Sequence, residues 1–218
     1  MGSKTVKIIN KFSEVGFFSM LKCIASRLYL HALRIFFKFD IWHASAPFSC
    51  RPYKKIVANE VLSHGVTSLV EVGCGLGDIG RLLEKNNVVY GGIDLDKEAI
   101  RAAKFIDKRL NVIVGTFQQL QCFKYPFQAV LLLNWPHGIP FVTLAEQFNR
   151  FPFSVKYIFI DGIRKDAPDL GFSYRHSIAD FDTLSPNWKV FRQIESIDAV
   201  RDLFVLQRGS SLDAGVSA

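Results

Sequence analysis

The chain has 218 residues, 49% of them hydrophobic and 22% charged, with a formal net charge of +7. That composition supports a sizeable packed core in a single domain and excludes general disorder. The positive balance favours anionic partners such as phosphorylated substrates, nucleic acid or an anionic membrane, and carries no information about fold. The four cysteines, Cys23, Cys50, Cys74 and Cys122, show no CxxC and no metal-ligand spacing. Scattered thiols of this kind read as reduced and cytosolic, and no metal site is expected. The basic start leads into no clean apolar run, so no signal peptide is expected, and Val6 stands where a myristoylation signal wants Ser or Thr.

Residues 12–39 are very apolar yet broken by Lys22, Arg27, His31, Arg34 and Lys38. Positions 27, 31, 34 and 38 fall on one helical stripe, and about 20 residues with few charges are needed to span a bilayer. An amphipathic helix or a pair of helices is therefore expected, packed on the domain or on a dimer partner, or lying on a membrane surface. Residues 40–52 have loop composition, with Pro47 and Pro52. A helix follows from Tyr53 to about Ser63, stopped by Gly65.

From there the pattern alternates. Strand-like runs at 67–72, 88–94, 111–115, 128–134 and 155–160 are separated by helical segments near 78–86 and 97–108, a shorter stretch near 117–124 and a helix over 140–150. Two more β-rich runs, 188–194 and 203–207, leave no room for a helix between them and read as an antiparallel pair. The expectation is a doubly wound α/β fold, mostly parallel, with that pair at the sheet edge. Residues 1–52 form an N-terminal helical extension and lid segment, 53–208 the domain, and 209–218 a flexible tail.

The chemistry concentrates after the first strand, at Glu71-Val72-Gly73-Cys74-Gly75-Leu76-Gly77, with Asp78 opening a helix. Glycines suit a turn whose backbone angles side chains forbid and where a ligand approaches the main chain closely, and the helix N-terminus adds free N–H groups for ligand oxygens. Glu71, near the end of a buried strand, is costly unless something cationic pairs with it. Asp94 ends the second strand where a carboxylate can accept from both hydroxyls of a ribose, with Leu95 beside it. Asp96 is better explained as the N-cap of the next helix.

With these residues the chain resembles the class I S-adenosylmethionine (SAM)-dependent methyltransferases: Glu71–Gly77 matches their first motif and Gly92-Ile93-Asp94 their second-strand acid. The resemblance covers about residues 55–207 and implies a seven-stranded sheet, methyl transfer and SAM as donor. It assigns the cofactor to Glu71, Gly73, Cys74, Gly75, Gly77, Asp94 and Leu95. Thr116 and Phe117 stand where the family often has an acid for adenine; Thr116 offers a weaker hydrogen bond and Phe117 a stacking surface. Gly75-Leu76-Gly77-Asp78-Ile79-Gly80 also satisfies the dinucleotide pattern GxGxxG. Counted from the strand-ending Gly73, however, the third glycine falls too early, and the chain lacks length for a dehydrogenase's catalytic domain.

The fourth strand delivers Asn134-Trp135-Pro136-His137-Gly138-Ile139-Pro140 to the carboxyl edge of the sheet, where ligands sit in open α/β folds. Asn134 and Trp135 are expected to face the cofactor and acceptor. The Asn/Asp-Pro-Pro-aromatic motif of amino-group methyltransferases is matched only in part, so nitrogen methylation does not follow. For a hydroxyl acceptor His137 is the leading general base and His176 the second, each with the alternative of a structural histidine. Trp42, His43, Arg51 and Tyr53 precede the turn as a lid whose aromatics cover a sulfonium by cation–π attraction and whose Arg51 clamps a carboxylate or phosphate; the alternative is a docking segment for the N-terminal helix. The favoured acceptor is a hydroxyl on a small molecule or glycan, lipid-linked ones included, with RNA or protein, or a non-catalytic SAM-binding role, as alternatives. The basic residues are dispersed, so nucleic acid is not favoured. A cytoplasmic location, at most peripheral to the inner face of the membrane, is expected, and a homodimer is allowed.

Overall fold

The computed structural model describes residues 17–123, 126–169, 171–176, 181 and 187–209. The expected tail, beyond Gly209, and the first five residues of the 12–39 segment lie outside the described residues. The elements in chain order are α1 (Phe17–Phe37), α2 (Ile41–Ala44), α3 (Tyr53–Ser63), β1 (Ser68–Val72), α4 (Asp78–Glu84), β2 (Val89–Asp94), α5 (Lys97–Ile106), β3 (Val112–Val114), β4 (Ala129–Leu132), α6 (Phe141–Asn149), β5 (Tyr157–Ile163), β6 (Trp188–Ile194) and β7 (Arg201–Arg208). Short 3₁₀ turns occupy Phe48–Cys50, Phe117–Cys122 and Trp135–Gly138.

The seven strands form one sheet in the order β3-β2-β1-β4-β5-β7-β6, parallel except for β7, which runs antiparallel to both β5 and β6. The strand order reverses direction between β1 and β4, and the crevice outside their carboxyl ends is where such sheets take ligands. Every residue of β1 and β4 is buried, which is why these segments read as unbroken apolar runs rather than alternating ones. Val57, Val61, Leu83, Ile100 and Phe159 fill one face of the sheet; Phe127, Leu144, Phe148, Phe151 and Trp188 fill the other.

Residues 17–37 make one helix, not two, ended by Lys38 at φ +64° with its N–H donating to Arg34 O at 2.7 Å. Leu30, Leu33 and Phe37 seat α1 against Leu76 of the glycine turn and Ala99 and Ala102 of α5. Each such burial contributes about 1.5–3 kcal/mol, enough together to hold the helix on the domain.

Three expectations are corrected. The 40–52 segment is not plain loop: Asp40 caps α2 by accepting from the Trp42 N–H, and a 3₁₀ turn follows at Phe48–Cys50. Asp161, beyond the expected strand run of 155–160, lies within β5, because pairing with β7 continues to Ile163↔Arg201. Cys23 and Cys50 are joined by a disulfide, with Cα atoms 6.8 Å apart, where all four thiols were expected reduced. Sequence spacing carried no trace of this, since α1 and the Phe48–Cys50 turn meet only through tertiary packing. Of the other two, Cys74 is buried and Cys122 exposed. Without reductant, iodoacetamide should therefore alkylate one cysteine in the folded protein, two after unfolding, and four after unfolding with reduction, read by intact mass; three or four adducts without reductant would remove the disulfide.

Candidate functional site

Gly73, Gly75 and Gly77 have φ of +78°, +52° and +72°, a left-handed region that residues with a Cβ enter only at a cost. The turn is pinned to β2 at three points. The Gly73 and Cys74 N–H groups donate to Ile93 O at 2.8 and 3.0 Å, and the Gly75 N–H donates to Asp94 Oδ2 at 2.7 Å. Asp94 Oδ1 accepts the Asp96 N–H at 2.9 Å. The carboxylate is thus held by two backbone donors and keeps two of its roughly four lone-pair sites, enough for a vicinal diol. Beside it Leu95 is 74% exposed, an apolar platform at the carboxyl edge. Asp96 caps α5 as expected, accepting from Glu98 and Ala99 N–H.

The lid reaches this point through Asp96, whose Oδ2 also accepts the Asp40 N–H at 2.7 Å. That bond carries His43 to the acids: its Nε2 is 3.6 Å from Asp96 Oδ2 and 3.9 Å from Asp94 Oδ1. A Cβ built on Gly75 would stand 2.6 Å from His43 Nδ1, and one on Gly73 would stand 2.6 Å from Trp135 Cδ1. Two aromatic rings therefore wall the glycine turn. The indole Nε1–H of Trp135 is buried and has no hydrogen-bond partner among the described residues. Trp42 is elsewhere, exposed on the surface, and Arg51 braces the lid by donating to Ser45 Oγ and Trp42 O rather than facing the turn.

Glu71 is buried on the same sheet face as Tyr90, whose hydroxyl donates to its Oε2 at 2.6 Å. Burial raises its pKa to about 7, and the Tyr90 bond and the charge of Lys54 only partly offset that. Neighbouring Asp78 goes the other way: burial pushes it up, but Lys54 at 2.6 Å and Arg81 at 2.5 Å hold it below the ordinary carboxylate range. Glu71 is thus left as an acid close to the turn with no cation of its own.

On the acceptor side the centre is Asp161, at the carboxyl end of β5 and fully buried. It accepts the Asn134 N–H at 3.0 Å and Arg201 Nη1 at 2.8 Å, and His137 Nε2 lies 3.4 Å away. Burial pushes the Asp161 carboxyl up, and His137, Arg201 and the Asn134 amide outweigh it and hold it low. Arg201 also bonds Asp198 and the Asn134 side chain, and its guanidinium lies 4.4 Å from the centre of the Tyr53 ring. Asn134 sits at φ +70°, which ends β4 earlier than expected and turns Trp135 over Gly73. His137 has no exposed surface, and neither ring nitrogen has a hydrogen-bond partner among the described residues; the Tyr174 N–H donates to its carbonyl at 3.0 Å, so residues 171–176 cover it. His176 is 3% exposed, and its Nε2 lies 3.1 Å from Pro136 O.

Thr116 is engaged locally in a capping box with Gln119, on the surface. Phe117 packs edge-on to Trp135, ring centres 5.2 Å apart, and stacks on Phe151. The turn, Asp94, His43, Trp135 and Phe117 are thus contiguous, and Asn134, His137, His176 and Tyr53 gather around Asp161. Trp42, Arg51 and Thr116 stand apart. Asp161 carried the same signal as Glu71 and Asp94, an acid closing an apolar run; Arg201 and Asp198 carried none. Two hollows of the surface, about 530 and 510 Å³, lie at the amino edge around Thr67, Gln128 and Lys156 and beneath Phe117 and Leu120. Only the second adjoins the glycine turn, through Phe117. Removing Arg201 would strand Asp161 as a buried charge, so Arg201→Met should cost about 3–5 kcal/mol in urea unfolding; an unchanged midpoint would mean the network contributes nothing to stability.

No family model and no curated protein matches the sequence. Among solved structures the chain is similar to magnesium protoporphyrin IX methyltransferase from Synechocystis PCC 6803 with bound SAH (TM-score 0.58, 12% identity, 72% of this chain and 82% of that one). It is also similar to mitomycin 7-O-methyltransferase (TM-score 0.63, 11% identity, 78% and 57%) and to a plantazolicin methyltransferase in complex with SAH (TM-score 0.56, 12% identity, 73% and 83%). At these identities the likeness is one of architecture, and the fold of this chain is that of the class I SAM-dependent methyltransferases.

Proposed function

We propose that this chain is an enzyme that binds SAM at the glycine turn and methylates a hydroxyl of a small-molecule or glycan acceptor. The observation that carries the reading is the bond from the Gly75 N–H to Asp94, which fixes a diol-accepting carboxylate beside a turn of three left-handed glycines. The similar solved structures add support, since two of the three are described with SAH and one is a 7-O-methyltransferase. The residues present fit the cofactor. Glu71 is a buried acid lacking a cation, the Trp135 indole N–H is a buried donor lacking an acceptor, and His43 and Trp135 supply ring faces for a sulfonium. When bound, SAM supplies a methyl group on a positively charged sulfur leaving group.

The protein's part is alignment and proton handling. Asp94 would hold the sugar, Leu95 and Phe117 would flank the base, and Glu71 beside the turn would receive the ammonium of the amino-acid end. His137 takes the acceptor proton at Nδ1 while Asp161 steadies the ring from Nε2, an arrangement that needs residues 171–176 to lift from it. His176 positions the loop through the Pro136 carbonyl. Residues 1–52 serve as extension and lid, and 53–208 as the catalytic domain.

Charge-assisted hydrogen bonds contribute about 1.5–3 kcal/mol each, so Asp94→Ala should weaken SAM and S-adenosylhomocysteine binding by about 10²-fold or more in calorimetry; equal affinity would remove the cofactor site. His137→Ala should lower kcat by about 10² with cofactor affinity unchanged, and undiminished turnover would exonerate the residue.

Glu71 makes a separate pH prediction. Its folded pKa of about 7 lies above the ordinary 4.5, so its contribution to stability is complete below pH 4.5 and is lost as pH rises through 7. Glu71→Gln should abolish that decline, of the order of 3 kcal/mol, in thermal melts of the free protein across this window. An ammonium placed beside Glu71 would ionise it, so SAM binding near pH 7 should release protons in the wild type and not in the variant.

A further inference from the structure

Helix α1 is apolar on two opposite faces. Leu30, Leu33 and Phe37, spaced three and four apart, are 6–7% exposed and face the domain. Leu21, Ile24, Leu28 and Ile35, spaced three, four and seven apart, form the reverse stripe and are 44–67% exposed. At 100° per residue the two stripes lie half a turn from each other. A helix that only docks on its own domain would carry polar residues on that outer stripe. The apolar surface continues across Phe36, 75% exposed, to Phe105 of α5, 60% exposed, with ring centres 6.5 Å apart. Beyond the helix end, Ile41 and Trp42 are 60% and 75% exposed.

The charges choose the occupant. Residues 17–39 contain Lys22, Arg27, Arg34 and Lys38 and no acid. On the helix wheel Arg27 and His31 flank the outer stripe on one side, and Lys38 follows at the helix end. Long cationic side chains in that position lay their stems on apolar surface and their heads at phosphates. A second copy is disfavoured by the same feature, because a two-fold interface places identical patches together and would set these cations against their counterparts. No helix of the described residues is long and apolar enough to cross a membrane.

We propose that the outer stripe of α1, with Phe36 and Phe105, seats the protein on an anionic lipid surface, the helix lying in the plane of the interface. Trp42 suits the headgroup level, where indole rings gather. The seat adjoins the crevice: α1 runs through Lys38 into Asp40, which is bonded to Asp96 beside Asp94. The inference stands apart from the methyltransferase reading, because lipid binding needs no cofactor.

The test is sedimentation of the full-length chain with vesicles of phosphatidylcholine alone or with 30% phosphatidylglycerol, in ~50 and ~300 mM salt. The expected result is binding to the anionic vesicles at least ten times stronger than to the neutral ones, weakened by salt, and reduced at least tenfold in Leu28→Glu/Ile35→Glu. Both positions are exposed, so the variant should keep the wild-type circular dichroism spectrum and melting temperature. An Arg27→Gln/Lys38→Gln variant provides the second reading, losing the preference for anionic lipid while retaining the fold. Failure of the wild type to sediment with anionic vesicles would overturn the proposal. So would equal binding by the glutamate variant, or a wild-type dimer in analytical ultracentrifugation that the glutamate variant dissolves.

Discussion

The hydrogen bond between the Gly75 amide and the Asp94 carboxylate ties the glycine turn after β1 to the end of β2. It can form only because glycine at position 75 takes φ +52° and so turns its N–H toward β2. It also fixes which way the acid points, since the Asp96 amide takes the other oxygen. The lid enters the same arrangement at one remove, as Asp96 receives the Asp40 amide and faces His43. The turn, Asp94 and the 40–45 segment are consequently one hydrogen-bonded unit.

Three buried acids stand at the carboxyl ends of β1, β2 and β5, and their environments divide the labour. Asp94 is satisfied by backbone amides and Asp161 by Arg201, the Asn134 amide and His137. Glu71 alone depends on a neutral phenol, and its carboxyl rises accordingly. A buried carboxylate is cheap to keep ionised only where backbone amides or a cation complete it. The cost held at Glu71 in the free protein is what an incoming ammonium would relieve.

The strands were legible because the central ones are buried on both faces and leave long apolar runs, and the antiparallel pair at the sheet edge because its two runs leave no room for a helix between them. Gly73–Gly77, Asp94 and the cap at Asp96 were legible because their roles are set by local backbone geometry. What escaped was set by tertiary approach. The Cys23–Cys50 link spans 27 residues with no motif. Asp161 fell beyond the expected run because its strand is prolonged by pairing with β7, not by its own residue preferences. His137 was placed on the right loop, but its burial depends on residues 171–176 folding over it. Arg201 opens a strand with nothing around it in sequence to mark the acid it meets.

The disulfide has a mechanical meaning. From Cys23 to Cys50 the backbone forms a closed covalent ring that contains most of α1 and the α2 segment bearing His43. Such a ring transmits torque: swinging His43 away from the glycines has to pull on the long helix, with the joint at Arg51 and Pro52 as its pivot. The long helix and the His43 segment beside the glycine turn are then two arms of a single lever.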